Sequence, residues 1–476
     1  MTTEVIENVL ASRYASQAMR DLWSPRNKVI LEREFWIAVL MGQRSQDPNI
    51  TDEVIEAYRA QVHNVDLESI REREAKSRHD VKARIDEFCA LAGYELIHRA
   101  LTSRDLTDNV EQLQILRALK LVRERLVAVL DRLRLLAETQ VEQPVVGRSH
   151  NAAAQVTTIG KRFASAGTEL LLAYRRLEHM IDTYPMRGIR GPMGTSQDML
   201  DFFGGDAVAM EQLEATIRLQ LGFARTLIST GQVYPRSMDF AVVSLLAQIA
   251  GGPSSLATTL RLMAGFELAT EGFQPGQVGS SAMPHKMNSR TCERICGLNK
   301  ILHGYVAMVG ALSGDQWQEG DVSCSVVRRV ALPDAFFAID GMIESMLTVL
   351  DEFGIYTAVI DRELETYLPF LVTTKLLNAM TACGMGREVA HEAIKEHAVA
   401  AALARREQGA QETDLFARLA ADERVPFSEA ELDLMAGEPL ELIGDATGQT
   451  QRFVELVYLM AASEPELARY TPAPIL

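Results

Sequence analysis

The sequence lacks an excess of positive charge, and this absence argues against polyanionic binding partners. It contains 64 acidic and 48 basic residues, which give a formal net charge of -16. Nucleic acids and anionic membranes are bound through basic patches, so neither is expected as a partner. An anionic small molecule is not excluded, because the local field of a pocket can oppose the net charge of the chain.

The chain is also poor in cysteine and has no long apolar run. Its five cysteines are odd in number and follow no regular spacing. That usage fits a reduced compartment better than a disulfide framework. The apolar stretches are far shorter than the ~20 residues that a membrane span requires. Residues 1–12 show no signal peptide. We therefore expect a cytoplasmic protein.

Glycine and proline are missing from long parts of the chain, including residues 49–92 and 94–143. Within 117–140 the apolar residues recur at spacings of three and four, as in an amphipathic helix; they are Leu119, Val122, Leu126, Val129, Leu130, Leu133 and Leu136. Residues 168–184, 236–250, 321–332, 342–353 and 387–408 are similarly uninterrupted. Alternation of apolar and polar residues is scarce. The predicted fold class is all-α.

Helices of this length need partners along their whole extent, which predicts a central bundle. We expect three parts: an N-terminal helical domain (1–111), a long-helix bundle with the catalytic loop (112–362) and a C-terminal helical domain (363–476). Long apolar stripes favour an oligomer over a large monomer. Glycine and proline cluster at Gly188–Gly194, Gly251–Ser255 and Pro275–Pro284. These clusters are predicted to be loops between long helices, where chemistry is usually carried.

The segment Gln274–Asn288 is the most informative in the chain. It reads Gln-Pro-Gly-Gln-Val-Gly-Ser-Ser-Ala-Met-Pro-His-Lys-Met-Asn. Gly276 and Gly279 give the backbone freedom to fold over a ligand and present the adjacent serines. Lys286 and Asn288 are a cation and a donor suited to a carboxylate. The alternative is an ordinary surface loop with a solvated lysine, but a random loop rarely gathers these groups so closely.

Two further polar clusters are candidates for chemistry. Gly147-Arg-Ser-His-Asn151 precedes Gln155 and a predicted helix start at Thr157–Thr158. There a histidine can titrate near neutrality. Lys76-Ser-Arg-His-Asp80 lies not far before Thr102-Ser-Arg-Asp105. An aspartate can orient an imidazole, and an arginine is a natural partner for phosphate. Each cluster alone could also be structural or a solvated helix face. The pair Cys292 and Cys296 has no partners at zinc spacing, so no metal site is expected.

Taken together, these segments resemble the adenylosuccinate lyases of the fumarase/aspartase superfamily. The resemblance extends from Ser12-Arg-Tyr-Ala15 to Arg469-Tyr-Thr-Pro-Ala473. The Gly279–Asn288 loop matches a motif of the whole superfamily. The purine assignment depends on more specific segments: Arg78-His-Asp-Val81, Thr102-Ser103, His150 with Gln155, Gly231-Gln-Val-Tyr234 and Ser325–Arg329 after Trp317.

The resemblance implies a homotetramer with shared active sites, no cofactor, and fumarate release from adenylosuccinate and from the succinyl-aminoimidazole carboxamide ribotide SAICAR. It implies Ser280 as general base and His150 as general acid. Residues implied to bind the substrates are Arg13, Tyr14, Arg78, His79, Asp80, Thr102, Ser103, Gln232, Ser281, Lys286, Asn288, Arg294, Ser325 and Arg329.

The sequence departs from the family pattern at two positions. Many relatives have an arginine three residues after the tryptophan, where this chain has Gly320, so one phosphate or ribose contact must come from elsewhere. The loop motif usually continues Asn-Pro, but here Asn288 is followed by Ser289. Two alternatives remain open at this point. One is another lyase of the superfamily, such as an argininosuccinate lyase, and the other is a non-catalytic helical scaffold.

Overall fold

The architecture was obtained as a computed structural model, which describes residues 6–273, 282–283, 285–410 and 412–473. It is built from helices, as the spacing of apolar residues predicts. Within these ranges the strands form three small two-stranded sheets, in the order β1-β2, β3-β4 and β5-β6. The all-α prediction is therefore confirmed for the described residues.

In chain order the elements are α1 (Val9–Arg13), α2 (Gln17–Leu22), α3 (Pro25–Gln43), α4 (Asp52–Ala60), α5 (Leu67–Ser77), α6 (Asp80–Ala92), α7 (Ser103–Thr139), β1 (Pro144–Ser149), β2 (Ala152–Thr158), α8 (Ile159–Thr183), β3 (Pro185–Met186), α9 (Gln197–Phe202), α10 (Ala207–Leu221), β4 (Arg225–Thr226), α11 (Ser237–Gly265), β5 (Ala269–Thr270), α12 (Arg290–Gly310), α13 (Cys324–Glu352), β6 (Gly354–Ile355), α14 (Thr357–Leu371), α15 (Thr373–Ala382), α16 (Arg387–Gln408), α17 (Leu415–Ala420), α18 (Glu429–Ala436), the 3-10 turn Pro439–Leu442, α19 (Ala446–Ser463) and α20 (Pro465–Ala468).

The long helices α7, α8, α11, α12 and α13 pack against one another as a bundle. In α7 six of the seven residues of the predicted apolar stripe are buried, and Leu119, Leu126 and Leu130 are fully inaccessible to solvent; the seventh, Leu136, is partly buried. Burying one leucine side chain contributes roughly 1.5–3 kcal/mol, so a stripe of this length stabilises the helix far more than its intrinsic propensity does. The periodicity therefore predicted the core face of α7 correctly.

The length of α7 separates two ends of the bundle. It contains 37 residues, which at 1.5 Å per residue makes it about 55 Å long. Thr102 and Ser103 lie at its first turn. The β1-β2 hairpin follows its last turn, where Gly160 at the start of α8 donates a backbone hydrogen bond of 2.8 Å to Gln140. We call the first end the α7 N-terminal end and the second the hairpin end.

The prediction of a loop at Gly251–Ser255 is wrong, because these residues lie inside α11. Pro253 is buried in the middle of that helix, although proline there removes a backbone hydrogen bond. Gly252 lets α11 approach α8: a Cβ at this position would lie 3.4 Å from the backbone nitrogen of Leu170. Close packing of the two helices outweighs the local preference for a break.

Helix α11 is also long and apolar enough to cross a membrane by length and composition. It nevertheless packs on α8, α12 and α13 and carries Asp239 fully buried in its first turn, which is typical of a core helix. A second, smaller core lies in the C-terminal part and includes Leu376, Leu415 and Leu432. Helix α19 instead packs on α7 and α8. The division into three domains stays a prediction.

Candidate active site

Residues Arg78, His79 and Asp80 form the junction between α5 and α6. Arg78 ends α5 in the left-handed conformation with φ of 54°, and His79 caps α6 by accepting the backbone N–H of Lys82 at 3.3 Å. Both side chains are exposed. Burial alone would raise the pKa of Asp80, but the Arg84 guanidinium 3.0 Å away holds that pKa below its usual range. The junction thus presents a cation and an imidazole beside an anchored carboxylate.

His98 is a candidate that the sequence analysis did not select. Its Nδ1 accepts a 3.1 Å hydrogen bond from the Trp36 indole, which leaves the proton of a neutral ring on Nε2. Burial lowers its pKa to about 4, and the charges of Asp105 and His79 act on it. His98 is therefore a neutral donor between the 78–80 junction and the start of α7. Its φ of 62° lies in the left-handed region that few non-glycine residues adopt. A backbone angle cannot be read from the sequence, so no pattern marked this residue.

Thr102 and Ser103 begin α7 and are half-buried. Asp105 holds this turn: its Oδ2 accepts the Thr102 N–H at 2.9 Å and the Thr102 hydroxyl at 3.2 Å. Gln232 lies on a loop at the same end of the bundle, and its N–H donates to the Glu319 carbonyl at 2.6 Å. The structure therefore places these two predicted segments at one end of α7.

Ser325 and Arg329 lie in the first turns of α13, and Arg329 is exposed. Between them Arg328 points inward and is buried. Its Nε donates to Asp239 at 2.7 Å, and its two Nη atoms bond Glu111 and the Tyr234 hydroxyl. Tyr234 follows Gln232 closely, and its N–H donates to Asp108 on α7 at 3.0 Å. A buried charge network therefore ties Ser325 and Arg329 to the Gln232 loop and to α7.

His150 lies at the tip of the β1-β2 hairpin, not at the predicted helix start, because β2 separates it from α8. Ser149 pairs with Ala152, so His150 and Asn151 alone make the turn. Their φ values are 52° and 61°, the positive pair that a type I′ turn requires. Tight turns of this kind suit asparagine and strain histidine, and such strain often marks functional positions. The imidazole is exposed at the tip.

Lys286 and Asn288 line a cavity of about 530 Å³ at the hairpin end, together with Glu271, His285 and Tyr356. Glu271 is buried and accepts the N–H groups of Thr291 and Cys292, each at 2.8 Å. It therefore fixes the start of α12 directly after Asn288. Ser280 and Ser281, the predicted base and its neighbour, lie outside the described residues.

Arg13, Tyr14 and Arg294 come together between α1 and α12. The Arg294 guanidinium lies 5.7 Å from the centre of the Tyr14 ring. Burial lowers the pKa of Arg294, and the charge of Arg13 adds to this effect. A Cβ on Gly341 of α13 would lie 2.7 Å from the Cβ of Tyr14, so glycine is needed for this close approach.

The predicted residues therefore form separate groups in one chain. The 78–80 junction, Thr102, Ser103, Gln232, Ser325 and Arg329 lie at the α7 N-terminal end, whereas His150, Lys286 and Asn288 lie at the hairpin end. No hydrogen bond or ion pair between described residues connects His150 to the first group. Within the described ranges, no group of three or more His, Cys, Asp or Glu side chains could hold a metal ion. Both ends present exposed cations and donors, which suit an anionic ligand.

Comparison with known proteins identifies the family from the sequence. Residues 29–301 match the lyase family, and residues 369–453 match the C-terminal domain described as adenylosuccinate lyase C-terminus. The adenylosuccinate lyase of Saccharomyces cerevisiae is 34% identical over 453 residues, covering 94% of this chain and 93% of that protein. The adenylosuccinate lyase of Pyrococcus abyssi is 31% identical over 396 residues, covering 82% of this chain and 86% of that protein.

Solved structures agree with the fold. A 3-carboxy-cis,cis-muconate lactonizing enzyme from Pseudomonas putida superposes with a TM-score of 0.80 at 20% identity, covering 96% of this chain and 100% of that one. A fumarate lyase from Mesorhizobium sp. BNC1 gives a TM-score of 0.78 at 19% identity, over 95% and 100% of the two chains. These identities show the fold alone. The sequence matches go further: the chain belongs to the adenylosuccinate lyase family of the fumarase/aspartase superfamily.

Proposed function

We propose that the chain is an adenylosuccinate lyase, which eliminates fumarate from adenylosuccinate to give AMP and from SAICAR to give AICAR. The observation that carries this proposal is the similarity to curated adenylosuccinate lyases over 94% of the chain. The exposed His150 and Lys286 and the half-buried Asn288 carry the groups that this chemistry needs. We expect the enzyme to act in the cytoplasm and to need no cofactor.

The reaction removes a proton from the succinyl carbon next to a carboxylate. Its electron pair forms the new C=C bond, the bond from the neighbouring carbon to the purine nitrogen breaks, and that nitrogen takes up a proton. We assign the first proton transfer to Ser280 and the second to His150, since an exposed imidazole is the side chain that most often serves as a general acid. Lys286 and Asn288 would stabilise the negative charge that grows on the carboxylate.

A serine hydroxyl is a weak base in water and needs help to act as one. A nearby cation and backbone N–H donors favour the alkoxide, and their effect is stronger in a site that excludes water. Lys286 follows Ser280 by six positions and is exposed at the mouth of the cavity. We propose that closure of the 274–288 segment over the substrate brings the hydroxyl and the ammonium to the same carboxylate-bearing carbon.

The geometry of α7 supports an active site shared between copies. Thr102 and Ser103 are separated from the hairpin that carries His150 by a helix about 55 Å long. A nucleotide with a succinyl group cannot span that distance, so one chain alone cannot bring both groups to one substrate. An antiparallel partner would place its hairpin end beside the first chain's α7 N-terminal end. We therefore propose a homotetramer in which each active site combines residues of the α7 N-terminal end of one copy with residues that other copies supply.

The exposed faces of the central helices favour the same assembly. Large apolar side chains remain on the surface of α11, α12 and α13; they include Phe240, Leu262, Phe266, Ile301, Met308, Val326 and Val330. Exposed apolar side chains on neighbouring helices are expected at subunit interfaces. A symmetric assembly that buries these faces would bring copies of the two ends together.

The activity is tested by an ultraviolet assay of the purified protein with adenylosuccinate, and with argininosuccinate as the control substrate. We expect turnover of the first with release of fumarate, and none of the second. Ser280→Ala should abolish turnover while substrate binding, measured by calorimetry, is kept, because the hydroxyl acts in the transition state. Turnover of argininosuccinate alone would end the purine assignment, and normal turnover by Ser280→Ala would exclude this serine as the base.

The shared site is tested by mixing two inactive variants. His150→Ala and Ser280→Ala, dissociated and reassembled together, should recover about a quarter of the sites if the subunits mix at random. The control is the double variant mixed with either single variant, in which no site contains both groups. Absence of recovery, with mixed assemblies demonstrated by mass spectrometry, would mean that one copy supplies both His150 and Ser280 to a site.

A further inference from the structure

Arg187 is a buried arginine whose contacts connect two of the proposed substrate-binding segments. It follows β3, and its side chain is fully inaccessible to solvent. Its Nη1 donates to Asp105 Oδ1 at 2.7 Å, and its Nη2 donates to the carbonyls of Gly191 at 3.0 Å and Gly231 at 3.2 Å. A planar guanidinium can serve these acceptors at once, which a lysine ammonium cannot do in the same geometry.

On one side of Arg187, Asp105 determines how α7 begins. Its Oδ2 holds the N–H and hydroxyl of Thr102, while its Oδ1 accepts the N–H groups of Arg190 at 2.9 Å and Gly191 at 3.0 Å besides Arg187. Asp105 is itself fully buried. Any movement of its carboxylate is therefore passed directly to the turn that carries Thr102 and Ser103.

On the other side, the carbonyl of Gly231 belongs to a closely packed loop. A Cβ on Gly231 would lie 2.1 Å from the Glu319 carbonyl oxygen, and one on Gly320 would lie 2.8 Å from the Cβ of Gln232. The Gln232 N–H donates to the same Glu319 carbonyl. The position of Gly231 therefore determines where Gln232 lies relative to the segment that leads to α13.

We infer that Arg187 is a positioning residue, which holds Gln232 in register with Thr102 and Ser103 through the Gly231 carbonyl and the Asp105 carboxylate. We assign the Arg187 side chain no contact with the substrate itself. The inference rests on the proposed function for its kinetic consequence, but the register of the two segments is a property of the protein alone.

The experiment compares Arg187→Lys with the matched variant Arg190→Lys. Arg190 is on the same loop and is also buried, but its side chain bonds Glu214 and the Leu227 carbonyl and not the Gly231 loop. Two quantities are measured: amide hydrogen exchange of residues 102–104 and 231–233 without substrate, and the KM and kcat for adenylosuccinate. Thermal unfolding of both variants is recorded to compare their stability.

We expect both segments to exchange faster in Arg187→Lys and to be unchanged in Arg190→Lys. The KM of Arg187→Lys should rise about tenfold or more while kcat stays within about threefold, because ground-state and transition-state binding are weakened together. If Arg187→Lys does not fold, Gly231→Ala displaces the Gly231 carbonyl instead, because its Cβ would lie 2.1 Å from the Glu319 carbonyl oxygen. The readout is then the exchange of residues 102–104, which are connected to Gly231 through Arg187 and Asp105.

Unchanged exchange in Arg187→Lys, or in Gly231→Ala where that variant replaces it, would overturn the inference. The same increase in exchange or KM in Arg190→Lys would do so as well. Failure of the proposed function would appear differently, as absence of turnover by the unaltered protein, and would leave the exchange result interpretable.

Discussion

Glu32 is the buried carboxyl for which we expect the largest effect of pH on stability. It lies on α3, fully buried, with Arg84 Nε 2.6 Å from its Oε2. That N–H does not point at the oxygen, so neither atom has a hydrogen-bond partner among the described residues. Burial raises the pKa of Glu32 from 4.5 to about 7, against the opposing charges of Arg84 and Lys28.

The direction of the pH dependence follows from the protonation of Glu32 in the folded and unfolded states. Between pH 4.5 and 7 the native protein holds a proton on Glu32 that the unfolded chain has released. The group therefore contributes its full stabilisation below pH 4.5, and this contribution is lost as the pH rises through 7. At ~1.4 kcal/mol for each pKa unit, the loss is about 3 kcal/mol.

The assay is urea unfolding of the unaltered protein and Glu32→Gln at pH 5 and pH 8, at one protein concentration because an oligomer unfolds in a concentration-dependent way. The difference in unfolding free energy between the two proteins should shift by about 3 kcal/mol in favour of the glutamine variant at the higher pH. Glu87→Gln is the control, since Glu87 is equally buried but hydrogen-bonded to Arg33. Its destabilisation should be similar at both pH values.

An equal difference between Glu32→Gln and the unaltered protein at pH 5 and pH 8 would refute this reasoning. Glu32 would then be ionised throughout the range, and the Arg84 charge would outweigh burial. A shift of the same size in Glu87→Gln would also refute it, because the effect would then not depend on the missing hydrogen bonds of Glu32.

Two further predictions concern α13. Arg328→Met should destabilise the protein by about 3–5 kcal/mol, because it leaves the buried Asp239 without its cation and the half-buried Glu111 with the more distant Lys28 as its ion-pair partner. The exposed neighbour variant Arg329→Met should change the unfolding free energy by less than about 0.5 kcal/mol and weaken substrate binding instead; equal destabilisation in urea unfolding would contradict this. Replacing a mid-helix glycine by alanine usually stabilises a helix by up to about 1 kcal/mol, but Gly341→Ala should destabilise, since its Cβ would lie 2.8 Å from the Tyr14 carbonyl oxygen. A higher melting temperature for Gly341→Ala would show that α1 moves away at no cost.

The parts of the fold that could be predicted from sequence are those in which local and tertiary preferences agree. The apolar stripe of α7 is such a case, since six of the seven residues that repeat at helical spacing are buried. The uninterrupted stretch 387–408 coincides with α16 for the same reason. At Gly251–Ser255 the local and tertiary preferences disagree. Glycine and proline usually end a helix, but here the glycine removes a side chain at the contact with α8 and the packing keeps α11 continuous.

The candidate site was predictable residue by residue only where a motif marked the residue. His98 and Arg187 do not stand out in the sequence, because their roles depend on burial and on partners from distant segments. The conformation at His150 was also missed, since two positive φ values in a hairpin turn cannot be read from the letters His-Asn. Patterns reveal which chemical groups are present, whereas the contacts that orient them arise from tertiary packing.

The long helices stabilise the protein and also separate its functional groups. Helix α7 stabilises the bundle through an apolar stripe that extends along most of its length, and the same length keeps Thr102 away from His150. The central helices leave apolar side chains such as Phe240 and Val326 exposed. A single copy therefore has an exposed apolar surface and cannot bring all the proposed active-site residues together. If one antiparallel assembly buries the apolar surface and completes the active site, dilution below its dissociation constant must lower stability and activity together. Activity that persists in a protein shown to be monomeric would contradict the proposal that assembly completes the active site.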